Sequence, residues 1–195
     1  MIDFDKDYIL ENDKVLLRAL KISDVNNLLY FAENEQDIWQ YSLIRPKDKT
    51  SLEEYIRLAL NDRNNKKSYP FIVFDKTKNQ YAGSTRFYDI NSFHKSLSLG
   101  YTWYGKDFRG TQLNKNCKYL LLEFAFENIA VERVEFKADV NNTQSIRAMK
   151  SIGCVEEGIL RNNFTTNSGR RDSIVLSIIK SEWYSNTKQN LLKKI

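Results

Sequence analysis

The segment Trp103-Tyr104-Gly105-Lys106-Asp107-Phe108-Arg109-Gly110-Thr111-Gln112-Leu113-Asn114 joins a strand-like run to a strongly apolar, helix-like run, and it carries the most suggestive chemistry in the chain. Glycines in such a loop let backbone approach a ligand closely. The amides of a helix's first turn point into the loop together with the positive end of the helix dipole. Arg109, Lys115 and Lys118 lie in or just past the loop, and cations in a first helical turn are disfavoured unless something negative arrives. One reading is a phosphate or pyrophosphate cradle; the other is an ordinary strand-to-helix turn in a lysine-rich protein. Gly105-x4-Gly110 has the glycine spacing of a triphosphate P-loop, but Thr111-Gln112 stands where Lys-Ser/Thr is required. That match is rejected, and the absence of G-x-G-x-x-G removes the usual dinucleotide fingerprint.

Other reactive residue types are sparse. Asn142-x-x-Ser145 opens a short helix-like run and by itself reads as an N-cap followed by a polar first-turn residue. His94 is the single histidine and sits in the polar turn Asn91-Ser92-Phe93-His94-Lys95. A multi-histidine metal site is therefore impossible. A Ser-His-Asp triad would have to use His94, and no G-x-S-x-G accompanies it. Cys117 and Cys154 are too few for a disulfide framework, form no C-x-x-C, and read as small core residues; no metal site is expected.

The elements that must position these residues follow from periodicity. Val15 to Leu20 reads as a first strand, and Ser23 or Asp24 caps a helix with Val25, Leu28, Leu29 and Ala32 at helical spacing. Ser51-x-x-Glu54 has the form of a capping box opening a second helix. Tyr69–Phe74, Tyr81–Ile90 and Leu97–Tyr104 are three strands in sequence. Asn114–Asn128 is an almost wholly apolar helix, and Arg133–Val140 alternates cleanly as a strand. A helix over Thr143–Ile152 ends at Gly153, a left-handed cap position. Val155–Phe164 and Ser173–Lys180 pair around Asn167-Ser168-Gly169, and Glu182–Lys193 closes the chain as a helix. The order predicts an α+β fold, a twisted mixed sheet of about seven strands with helices on both faces.

With 195 residues, 42% of them hydrophobic and 28% charged, the chain suits one domain over 1–195 with a sizeable core. No signal-peptide pattern opens it and no run is long enough to cross a bilayer, so a soluble, cytoplasmic protein is expected. The net charge of +5 is compatible with an anionic partner. Nucleic acid is disfavoured, because acidic residues are interspersed and no long basic run occurs.

Several of these pieces, in order, resemble the GNAT-fold N-acetyltransferases, and within them the subgroup of Rim-type ribosomal-protein N-terminal acetyltransferases. The resemblance rests on Leu99-Gly100-Tyr101-Thr102-Trp103, Arg109 to Asn114, Lys118 to Phe126 and Arg133 to Lys137. It continues through Asn141-Asn142-Thr143-Gln144-Ser145, Ile152 to Arg161 and Glu182-Trp183, so that it covers almost the whole chain. It implies that acetyl-coenzyme A binds where Leu97–Tyr104 and Arg133–Val140 splay apart, and that a primary amine attacks the thioester directly. The amine would belong to a protein N-terminus or a small molecule. Trp103 and Tyr104 would offer unpaired backbone to the pantetheine, and Arg109, Gly110, Thr111, Gln112, Leu113 and Asn114 would hold the pyrophosphate. Asn142 would hold the pantetheine arm, and Ser145 would protonate the leaving sulfur. The family's loop pattern is Q/R-x-x-G-x-G/A, so Gln112 and Asn114 replace its two glycines; Gln112 is strained if that position needs a positive φ, while Asn114 can cap the helix. Relatives often place a glutamate at the position of Ser98, so the general base is another group, a water chain or absent; Glu157 and Asp172 are candidates by proximity to the expected cleft, or else solvated strand carboxylates. Trp39-Gln40-Tyr41 is either an acceptor wall or core. The alternative to an enzyme is a non-catalytic coenzyme A-binding module of the same fold. A monomer or homodimer is compatible with all of this.

Overall fold

The computed structural model describes residues 1–166 and 169–195. Eight strands form one sheet: β1 (Ile9–Glu11), β2 (Val15–Ala19), β3 (Ser68–Asp75), β4 (Gln80–Asn91), β5 (Ser96–Tyr104), β6 (Arg133–Asp139), β7 (Val155–Thr166) and β8 (Gly169–Ile179). Their spatial order is β1-β2-β3-β4-β5-β6-β8-β7. Every neighbouring pair is antiparallel except β5 and β6. The strand missed by sequence reasoning is β1, whose three residues are too few to show an alternation and which β2 alone pairs. The Asn167-Ser168 part of the expected β7–β8 turn lies outside the described residues.

Two helices, α1 (Val25–Asn34) and α2 (Lys49–Asn64), cover one sheet face, where Phe31 and Tyr55 meet Trp103 of β5. On the other face lies α3 (Leu113–Glu123), continued by a π turn over Phe124–Asn128 that places Phe124 against Phe87 of β4. The chain continues into α4 (Thr143–Ser151) and ends in short helical turns that bury Trp183 beside Phe126. Burial of these aromatic rings, each contributing on the order of 2 kcal/mol, is the main force joining the layers. The cap of α2 differs from the expected one. Asp48 is the N-cap, its carboxylate accepting the Ser51 amide at 2.8 Å while Ser51 Oγ accepts the Asp48 amide at 3.1 Å. Ser51 closes the box instead of opening it, because its hydroxyl serves as the back-bonding group that Glu supplies more often. At the start of α1, Asp24 makes no cap bond; its buried carboxylate is held by both terminal nitrogens of Arg18, at 2.8 and 2.6 Å.

The feature that positions the site is the short run of β5–β6 pairing. Only Ser96, Leu97 and Ser98 pair with Arg133, Val134 and Glu135, although both strands run on to Tyr104 and Asp139. Beyond Ser98, β5 stays with β4 and β6 stays with β8. The two parallel strands therefore part, leaving one edge of each without a strand partner among the described residues. On the β4 side, two residues of β5, Tyr101 and Thr102, face the single Thr85 of β4 between Ser84↔Trp103 and Arg86↔Gly100, with Tyr101 at a φ of +50°. Such a bulge bends the strand and strengthens its local twist, which suits a divergence at that point.

Candidate functional site

At the open end of the gap, β5 runs into the loop before α3. This loop is tied to α1 by the buried carboxylate of Glu35, which accepts the Lys106 amide at 2.6 Å. Arg109 turns back and donates from Nε to the Tyr104 carbonyl at 3.0 Å. Thr111 Oγ1 donates to the Phe108 carbonyl at 2.8 Å and accepts the Leu113 amide at 3.2 Å. Among the described residues, no acceptor is found for the amides of Gly110, Thr111, Gln112, Asn114 and Lys115. Five main-chain donors at the N-terminus of one helix make a site for an anion. Gly110 supplies the one left-handed conformation, with a φ of +71° and nothing within 4 Å of where a Cβ would stand.

The expectation of strain at Gln112 is corrected. Gln112 is the N-cap of α3, with φ −74° and ψ −9°, a conformation any residue adopts. Asn114 is not the cap either; it lies inside the helix, one residue past its start. The basic cluster also resolves differently. Lys118 does not face the loop, because it lies more than a full turn into α3 and is buried. Its ammonium reaches the gap: Nζ donates to Thr102 Oγ1 of β5 at 2.9 Å and stands 5.7 Å from the Phe136 ring of β6. Its ion pairs number none among the described residues, and burial pulls its pKa down to about 8. Its spacing in the sequence gave no sign of this, since Lys is the residue least expected inside.

The side chains of Trp103 and Tyr104 are buried, and the Tyr104 carbonyl already accepts from Arg109, which corrects the expectation of unpaired backbone at that residue. Asn142 caps α4, its Oδ1 accepting the Ser145 amide at 3.0 Å, while the half-buried Ser145 hydroxyl has no hydrogen-bond partner among the described residues. Both lie just past the end of β6, at the mouth of the gap. Trp39 is core, 4.5 Å from the Trp103 ring, whereas Tyr41 reaches across: its hydroxyl donates to the Asn141 carbonyl at 3.1 Å and its carbonyl accepts from Arg171 at 3.2 Å. The segment after α1 thus bridges to both β8 and the turn before α4.

Glu157 is corrected as a general-base candidate. Its carboxylate is gripped by Arg133 and accepts the Ser177 hydroxyl at 2.7 Å, which together hold its pKa down to about 2. A group so acidic is a poor base near neutrality. Glu135 is likewise engaged by Arg133 and Lys137, and Asp139 pairs with Arg171. Asp172 accepts the Asn162 amide at 2.7 Å. His94 lies exposed in its turn, and both cysteines are buried and free. No group of three metal-ligating side chains, and no helix long and apolar enough to cross a membrane, occurs among the described residues.

A strand pair opening into a gap, with free amides at its mouth, accommodates an extended ligand that carries an anion. Residues 14–155 match the acetyltransferase (GNAT) domain, and the chain belongs to that family of N-acetyltransferases. Protein YdaF of Bacillus subtilis (strain 168), provisionally named a ribosomal N-acetyltransferase, is 25% identical over 88% of this chain and 94% of its own length. The spermidine N(1)-acetyltransferase of Vibrio cholerae is 25% identical over 88% of this chain and 96% of its own. Among solved structures, a GCN5-related N-acetyltransferase from Brucella melitensis superposes with a TM-score of 0.88 at 21% identity, covering 96% of this chain and 85% of that one. That likeness shows the fold alone.

Proposed function

We propose that the chain, acting as a single domain over residues 1–195, moves an acetyl group from acetyl-coenzyme A to a primary amine by direct attack. The observation that carries this reading is the gap between β5 and β6 with five partnerless amides at its mouth. A diphosphate fits that mouth, and an extended arm with amide groups fits the strand edges. Lys118 Nζ, with one N–H spent on Thr102, donates to a carbonyl of the arm. The Ser145 hydroxyl, free of other bonds among the described residues, gives its proton to the departing sulfur and regains one from the water that takes up the amine's proton. The chain gains most of its rate by holding the two reactants together in the gap. With the nearby carboxylates paired, the amine's proton leaves through solvent.

Calorimetry with coenzyme A, followed by thiol release over a panel of amines, tests the reading. Micromolar binding and amine-dependent thiol release are expected. Absence of binding at millimolar coenzyme A refutes it, and binding without release over the panel returns the chain to the non-catalytic alternative.

A further inference from the structure

Arg86 of β4 is 5% exposed, yet its side chain has no ion pair and no hydrogen bond among the described residues. Its guanidinium lies between two aromatic rings, 5.2 Å from the Tyr55 centroid of α2 and 4.2 Å from that of Tyr101. Nε is fully buried and unpartnered; the two terminal nitrogens carry the remaining exposure. An arginine cannot shed its proton to escape such a site, and ring faces replace only part of its lost hydration. Its terminal N–H groups form a planar fork whose natural complement is a carboxylate.

Position decides what that carboxylate belongs to. Arg86 is paired with Gly100, two residues past Ser98, where β5 and β6 cease to pair. It therefore stands level with the vertex of the gap. Strand alternation puts it on the same face as Ser84 and Trp103, the face covered by α1 and α2, opposite Phe87 and α3. Lys118 and the loop amides serve the gap from the α3 side; Arg86 serves it from the other. Tyr101, held out by the bulge and 45% exposed, forms the rim of that side together with Tyr88, whose ring lies 5.0 Å away. Asp62 of α2 and Asp89 of β4 act on the Tyr101 hydroxyl, Asp89 and Glu135 of β6 act on that of Tyr88, and Lys137 pairs with Asp89 and Glu135; none of them makes an ion pair with Arg86 among the described residues.

We infer that Arg86 is the carboxylate-binding residue of the acceptor site, and that the amine acceptor carries a carboxylate close to its amino group. This rests on the transferase reading above and narrows its substrate class to amino-acid-like amines, whether free or as a peptide N-terminus flanked by an acidic side chain. A polyamine, wholly cationic, is rejected by the same fork. Like charges at such range disfavour the complex, and the aromatic walls exclude the water that would screen them.

The test compares matched pairs, each amino acid against the amine left by its decarboxylation (phenylalanine and phenethylamine, tyrosine and tyramine), with aspartyl- and alanyl-peptides and spermidine alongside. Calorimetry on the protein without acetyl donor and kcat/KM by thiol release are both read. The carboxylate-bearing member is expected to win by tenfold or more, with spermidine weakest. The aspartyl-peptide against the free amino acid then tells which source of carboxylate is preferred. In Arg86→Gln the ratio within each pair collapses toward one through a rise in KM for the acid, and Arg86→Lys retains part of it. Coenzyme A titrations of each variant report whether the fold and the donor site persist. Equal treatment of acid and amine by the wild-type chain, or a preference for spermidine, overturns the inference while acetyl transfer itself stands. If Arg86→Gln does not fold, the wild-type ratio and Arg86→Lys still decide. Failure of coenzyme A to bind the wild-type chain strikes the transferase reading instead, and the donor-free titrations with amino acids still judge Arg86.

Discussion

Replacing Lys118 by methionine should make the protein more stable, and by an amount that depends on pH. Burial lowers the folded-state pKa of Lys118 from 10.5 to about 8. At about 1.4 kcal/mol per pH unit, the folded chain carries a penalty of about 3 kcal/mol for holding that ammonium charged. Below pH 8 the side chain is protonated in both states and the whole penalty applies. Above 10.5 it is neutral in both and the penalty is gone. Between those values the unfolded chain binds more protons, so this group makes stability rise with pH. Methionine has nearly the same length and no charge to desolvate. It forfeits the bond to Thr102, about 1 kcal/mol, but leaves Thr102 Oγ1 in contact with Thr85 Oγ1 at 2.8 Å. The net gain at pH 7 is about 2 kcal/mol, a rise in Tm of about 4–8 °C for a chain of this size. By pH 10.5 the advantage should vanish and reverse by about 1 kcal/mol, since only the lost hydrogen bond remains. Urea unfolding of both proteins at intervals from pH 7 to 10.5 reads the difference directly, and groups common to both cancel. A variant less stable than the parent at pH 7, or a difference that does not change with pH, refutes the reasoning. The same substitution should weaken coenzyme A binding at pH 7, as a donor kept at the expense of stability would.

Gln112→Gly should change coenzyme A affinity by no more than about twofold and cost a few tenths of a kcal/mol, because Gln112 already has helical backbone angles; a large gain in affinity by calorimetry would contradict the geometry of the loop. Ser145→Ala should lower kcat by about tenfold or more, in the range of general acid catalysis, with coenzyme A affinity nearly intact, and an equal loss in both would make the hydroxyl a binding group only. Glu157→Gln should leave the acid limb of the pH–kcat profile where it is, since Arg133 and Ser177 hold the carboxylate ionised at all working pH values; a profile that loses its limb would restore Glu157 as the base.

How far the sequence carried depends on what kind of signal each part leaves. The strands of the sheet centre and the helix before Phe124 announce themselves by alternation and by a nearly unbroken apolar run, because burial on one face or on all sides writes itself into spacing. Ile9–Glu11 left no such trace, being three residues paired on one side. The cap of α2 was misplaced by three residues because Asp48 and Ser51 satisfy the same reciprocal bonding with their types exchanged. The loop before α3 left two readings open in the sequence, an anion cradle or an ordinary strand-to-helix turn, and the angles at Gln112 were not legible. A family glycine shows that a side chain was avoided there, without showing whether the reason was φ or space. Here Gly110 alone takes the left-handed conformation, and Gln112 is free to be any residue that leaves its amide exposed.

The two cations beside the gap show where such reading ends. Lys118 follows Cys117 in an apolar helix, and Arg86 interrupts the run from Ala82 to Tyr88; as letters both look like ordinary polar positions on half-covered elements. Whether each points to solvent or to the interior depends on register. The bulge at Tyr101 turns one strand edge, and the loss of pairing after Ser98 opens a space that a continuous sheet would close. Placed against a closed sheet, either side chain would bury charge with nothing to gain. Against an open one, Lys118 bridges the parted strands from below and Arg86 flanks their vertex from above. The same divergence that makes room for an acyl carrier therefore explains why this chain tolerates two buried cations without carboxylate partners. Under the proposed function it also divides their work, with the α3 side serving the donor's anionic and carbonyl groups and the α2 side the acceptor. A sequence with the same motifs but with Arg86 replaced by an apolar residue should keep the donor site and lose the discrimination among acceptors, which separates the two halves of the site by experiment.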